Sequence, residues 1–214
     1  MHTSLRNTPA LSVAFILIAG AISICNGDDG PSRTLFGNKA VQRELNLTVT
    51  QQKQVEAIVL EIETKIANAK NEAAKTTKDP RVAKRIIGDL EARVVDEAGR
   101  QFMELLDQKQ ADRFWQIGAQ CAGIQVFGNN RVQRVLQLSD VQKKAMNEHL
   151  DRMVEEVTNL ATNADLDIAT VQKRAEVAKQ ECFARMLEVL NEGQKKDFFD
   201  LLGKPFDVKL LMSN

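Results

Sequence analysis

The sequence predicts an all-α protein made of two tandem helical units. Three observations carry that expectation. Leucine, a helix-capping residue and, three positions after the cap, glutamine recur four times, as Leu47-Thr48…Gln51, Leu106-Asp107…Gln110, Leu138-Ser139…Gln142 and Leu190-Asn191…Gln194. Apolar residues step by threes and fours over long stretches, the period of a helix face. The chain also has no tyrosine, one tryptophan and almost no segment of alternating polarity, so a sheet has little to be built from.

In each copy the short polar side chain can accept from the first free N–H groups of a helix while the glutamine reaches back to the cap. That is a capping box, and the preceding leucine is placed as a hydrophobic staple. Loss of the glutamine is expected to cost less than loss of the cap, because it supplies only the reciprocal bond. The copies belong to a larger duplication. Phe36-Gly37-Asn38, Val41-Gln42-Arg43, Leu45, Leu47, Gln51 and Lys53 recur at an offset of 91 as Phe127-Gly128-Asn129, Val132-Gln133-Arg134, Leu136, Leu138, Gln142 and Lys144. Leu106, Gln110, Phe114, Trp115 and Ile117 recur at an offset of 84 as Leu190, Gln194, Phe198, Phe199 and Leu201. The difference between the offsets shortens the middle of the second copy.

Taken in order, residues 1–27 read as an export signal: a polar start with Arg6, an apolar run from Ala10 to Ile24, then small residues. The run is too short for a convincing membrane span. Cleavage after Ala21 or Gly27 fits a small-residue rule, and a lipoprotein reading of Cys25 is disfavoured by Ile24. Residues 28–34 form a flexible mature N-terminus. The first unit, 35–121, has a long helix opened by Thr48 with Val55, Ile58, Ile62, Ile66, Ala69 and Ala73 in one stripe. A second long helix starts at Pro80, a natural first helical position, and carries Ile87, Leu90, Val94, Ala98, Phe102 and Leu105. At about 1.5 Å per residue such helices run about 40 Å. Asp107 caps a shorter helix to about Cys121, and residues 122–130 connect the units.

The second unit, 131–206, repeats the plan. Ser139 opens a helix with Met146, Leu150, Met153, Val157, Leu160 and Ala164 on one face, and the next carries Ile168, Val171, Ala175, Ala178, Cys182, Met186 and Val189. The near-heptad spacing predicts shallow packing as a coiled-coil hairpin. Asn191 caps the last helix, Gly203 and Pro205 end it, and 207–214 form a C-terminal tail.

Composition narrows the function classes. The 29 basic side chains balance the 29 acidic ones, so no strong field draws nucleic acid or an anionic membrane. No metal site or cofactor is expected: apart from His2 the only histidine is His149, read as a solvated surface residue, and Cys121, Cys182 and His149 are scattered. The position three before His149 is Met146, which excludes a Glu-x-x-His pair. Carboxylate pairs such as Asp96-Glu97 and Glu155-Glu156 sit among basic residues at helical spacing and read as exposed ion pairs. No phosphate loop or nucleophile elbow is present, so catalysis is not expected. Cys121 and Cys182 read either as buried, unpaired thiols or, after export, as a disulfide.

The sharpest aromatic features are Phe114-Trp115 and Phe198-Phe199. One ring of each pair is expected to pack its short helix onto the hairpin. Adjacent helical residues point about 100° apart, so the less buried members of Phe114, Trp115, Phe198 and Phe199 are candidates for binding a partner.

The four boxes behind an export signal resemble the Spy/CpxP family of periplasmic proteins, whose motif is LTxxQ. Leu47-Thr48-Val49-Thr50-Gln51 fits it, and the other copies keep leucine and glutamine while exchanging the threonine. The resemblance implies a unit with a short helix, a long antiparallel hairpin and a further short helix, in a periplasmic or secreted protein. It implies an ATP-independent holding chaperone for unfolded envelope proteins, or a structural or regulatory protein that binds a dedicated envelope partner such as a stress-sensor kinase. It further implies a homo-oligomer, or here, with two units in one chain, an intramolecular pseudo-dimer. The neutral charge departs from the basic cradle of Spy-like chaperones, and the metal-responsive branch relies on histidines this chain lacks.

Overall fold

The computed structural model describes residues 35–212. The expected export signal 1–27 with Cys25, the segment 28–34 and residues 213–214 lie outside the described residues. Among the described residues the chain is all-α, with no strand.

The chain divides into two compact units. One holds residues 35–118 together with 208–212; the other holds 119–207. In the first, α1 (Lys39–Glu44) is followed by the long helices α2 (Val49–Thr76) and α3 (Pro80–Leu105) and by α4 (Gln108–Ala122), whose last turn belongs to the second unit. The second continues through a 3-10 segment, η1 (Gly123–Gly128), then α5 (Asn130–Leu136), α6 (Asp140–Thr162), α7 (Ile168–Val189) and α8 (Glu192–Leu202). The segment expected as a tail carries a second 3-10 segment, η2 (Val208–Met212), which packs on α1 of the first unit.

Each unit is built on a hairpin, α2 with α3 and α6 with α7. The α2 stripe is buried at Val55, Ile58, Ile62, Ile66 and Ala73, against Val94, Ala98 and Phe102 of α3. Fully burying one such large side chain contributes about 1.5–3 kcal/mol. Asp79 caps α3 with Pro80 in its first turn, accepting from the Arg81 N–H at 2.8 Å. The second hairpin is shorter than its stripe suggests. α6 ends at Thr162, so Ala164 falls in the turn, and Ile168, the first residue of α7, is 78% exposed.

Phenylalanines centre each unit at positions related by the duplication. Phe36 stacks on Phe102 at 5.3 Å, and Phe102 meets Phe114 edge-on at 4.8 Å. In the second unit Phe127 stacks on Phe198 at 4.8 Å, with Phe183 beside both. Phe36 and Phe127 are equivalent, as are Phe114 and Phe198. One ion pair has no counterpart: Arg113 donates to Glu44 at 2.7 and 3.0 Å, tying α4 to α1, whereas Val135 and Asp197 occupy the equivalent positions.

The passage from the short helix to the long one takes four residues in the first unit, 45–48, and three in the second, 137–139. Asn46 and Gln137 adopt φ of 51° and 47°. Their N–H groups donate to Arg43 and Arg134, and the following Leu47 and Leu138 N–H groups donate to Gln42 and Gln133. That is a Schellman stop. Each leucine is thus at once the anchor that ends one helix and the residue before the cap of the next, and both are buried.

Candidate functional site

All four predicted boxes form. Thr48, Asp107, Ser139 and Asn191 each accept from the N–H of the glutamine three residues on, and each glutamine Oε1 accepts from the N–H of its cap residue. The glutamines do more than the sequence reading assigned them. Gln51 Nε2 donates to Gln110 Oε1 at 2.8 Å, and Gln110 Nε2 returns a bond to Gln51 Oε1 at 3.2 Å. Their remaining amide hydrogens go to the carbonyls of Leu105 and Leu45. In the second unit Gln142 and Gln194 pair at 2.7 and 3.1 Å and donate to Val189 and Leu136.

Every one of these bonds recurs at the offsets of 91 and 84. Each pair joins the starts of two helices to the ends of two others, so the premise that a glutamine supplies only the reciprocal bond does not hold: it makes tertiary bonds as well. A partly buried amide with both ends satisfied is a well-determined contact, and leaving such partners unpaired is costly.

Two further amides hold backbone at the ends of the units. Asn38, fully buried, caps α1 by accepting from Ala40 and Val41 N–H at 2.8 and 3.3 Å. Its Nδ2 donates to the carbonyls of Leu210 and Leu211 in η2 at 3.5 and 3.4 Å. Gln120 is also buried. Its Nε2 donates to the carbonyls of Leu202 and Lys204 at 2.8 and 2.9 Å, and its Oε1 accepts from Phe206 N–H at 2.8 Å. The repeated Phe-Gly-Asn triplet could have pointed to Asn38; nothing in the sequence marks Gln120.

The four candidate rings separate. Phe198 is fully buried and belongs to the core, and Phe114 packs edge-on against Phe102 while half-buried. Trp115 and Phe199 are half-buried, with Phe199 edge-on to Phe198 at 5.6 Å. They occupy equivalent positions of the two units. Large apolar side chains stand exposed on the hairpins as well, among them Leu60, Ile86, Val154 and Val177.

Cys121 and Cys182 are both buried and are not bridged to each other. Burial pushes the Cys182 thiol above its ordinary pKa, with Arg185 acting the other way. His149 departs from its expected solvated place. The residue is half-buried: its carbonyl accepts from Cys182 Sγ at 3.5 Å, and its Nδ1 is buried without a hydrogen-bond partner. Among the described residues no group of three or more histidine, cysteine or carboxylate side chains could hold a metal ion. None of their helices is long and apolar enough to cross a membrane. No protein-family model matches the chain, and no curated protein or solved structure matches it either.

Proposed function

We propose that the chain is an exported, Spy-like helical binding protein that holds apolar segments of unfolded cell-envelope proteins without nucleotide or metal. The observation that carries the reading is the leucine–cap–glutamine box, present twice in each unit and closed by a reciprocal glutamine pair. This is the motif on which the resemblance to the Spy/CpxP family rests.

The surface supports that reading in kind. Exposed Leu60, Ile86, Val154 and Val177 stand on the hairpins among charged residues, and apolar contact is non-directional, which suits clients of unrelated sequence. With 29 charges of each sign, long-range steering contributes little, so holding rests on short-range apolar contact. A second reading, a structural or regulatory protein bound to one dedicated envelope partner such as a sensor kinase, is favoured by Trp115 and Phe199, a matched pair of half-buried rings.

Co-purification from native envelopes separates the two. A holding chaperone recovers many substoichiometric proteins that are released once they fold. One stoichiometric partner retained through washing overturns the chaperone reading in favour of the second.

A further inference from the structure

The first unit is completed by a segment that is not continuous with it in the chain. η2 lies 172 and 173 residues from the Asn38 amide that holds its Leu210 and Leu211 carbonyls. η1, by contrast, runs directly into α5 of its own unit, with the Asn129 N–H donating to the Val126 carbonyl. η2 is joined to the second unit through Asp207 instead.

The anchoring is local. Val208 and Leu211 are buried three residues apart on one turn, while Lys209 and Leu210 face outward. Immediately upstream, the three bonds of Gln120 and the burial of Phe206 fix 202–206 to the second unit. The boundary between the two units falls after Asp207.

We propose that this seat on the first unit is a peptide-docking site kept filled by residues 208–212 of the same chain. Its ligands are short segments that place two apolar side chains three residues apart on one helical turn and offer two carbonyls to the Asn38 amide. The tail is then a built-in competitor, and a client segment gains the seat by displacing it. The assignment of clients as the source of such segments rests on the chaperone reading; the seat itself does not.

The test uses a variant ending at Asp207 and a labelled synthetic peptide, Asp207–Asn214, followed by fluorescence anisotropy. The shortened chain is expected to bind the peptide saturably, and the intact chain at least tenfold more weakly. A peptide with Val208→Ser and Leu211→Ser should not bind. Asn38→Asp in the shortened chain keeps an oxygen to cap α1 but loses both donors, and should weaken binding about tenfold.

Equal binding to intact and shortened chains, or none to a shortened chain that keeps its helical content, overturns the seat. Should the shortened chain lose its helices, hydrogen exchange on the intact chain decides. Leu210 and Leu211 amides exchanging at least a hundredfold faster than Val55 support release, and exchange as slow as Val55 overturns it. A dimer that depends on Leu211 would assign the seat to a second copy's tail instead. Peptide binding without any protection of unfolded clients keeps the seat and removes the chaperone reading.

Discussion

Gln51 and Gln110, 59 residues apart, hold each other's side-chain amides in a two-way hydrogen bond. Each oxygen also accepts from the cap of its own box, and each nitrogen also donates to the last turn of another helix. Both amides are saturated, and Gln142 with Gln194 repeats the arrangement. The glutamine of the repeated motif is therefore the point at which local capping becomes tertiary structure.

Gln51→Glu keeps an oxygen to receive the Thr48 N–H but replaces two donors by an acceptor facing the Leu105 carbonyl and Gln110 Oε1. The expected loss is about 2 kcal/mol or more, against about 0.5–2 kcal/mol for Thr48→Ala. Denaturant midpoints compare them. In a double-mutant cycle, Gln51→Ala and Gln110→Ala should show a coupling of about 0.5–3 kcal/mol, and strictly additive losses would reduce the pair to two independent caps.

Gln137 occupies the left-handed region at φ 47°, where its equivalent Asn46 is far better suited. Gln137→Gly should stabilise the chain by about 0.5–1 kcal/mol. A thermal midpoint that falls would mean the glutamine side chain makes a contribution of its own.

Burial holds the Cys182 thiol in its protonated form, which is the unreactive one. A thiol reagent at neutral pH should leave Cys182 unlabelled in the folded chain and modify it once denaturant unfolds the second unit. Rapid labelling under native conditions would contradict its place between α6 and α7.

Asp167 caps α7, and its carboxyl is held below the usual pKa first by the Thr170 hydroxyl and then by the Thr170 N–H. A carboxyl lowered in the folded state stabilises in its ionised form. That contribution is present above the ordinary carboxylate pKa, about 4, and disappears as pH falls through the folded value. The protection factor of the Thr170 amide, its exchange rate relative to the free peptide at the same pH, should therefore fall on acidification, and Asp167→Asn, which still caps but does not ionise, should remove that dependence.

The helices were legible because their signals are local. Thr48, Ser139 and Asn191 announce starts within one turn, and the stripe from Val55 to Ala73 fixes a buried face by spacing alone. What spacing could not reach was the partner of each amide. Gln51 meets Gln110, Asn38 meets η2 and Gln120 holds 202–206 only once distant segments are brought together. His149 was misplaced for a related reason: it borders the apolar stripe and is half-buried, with its Nδ1 out of solvent. The rings were half legible, since an adjacent aromatic pair predicts that one is core without saying which; Phe198 proved to be the core member.

Trp115→Ser with Phe199→Ser removes one half-buried ring from each unit and leaves the half-buried Phe114 and the core residue Phe198 in place. The double variant is expected to keep its helical content while losing most of its protection of unfolded clients. Client addition should likewise shift the emission of Trp115, the chain's single tryptophan. Full protection by a helical double variant would return both rings to a purely structural role.

The most direct measurement is light scattering from several unrelated unfolded proteins diluted into buffer with and without the intact chain, in the absence of nucleotide and metal. Suppression of aggregation for most of them, at near-stoichiometric ratios and unchanged by added ATP, is the result the holding reading predicts. Protection of none of them, by a chain that remains helical, would contradict it.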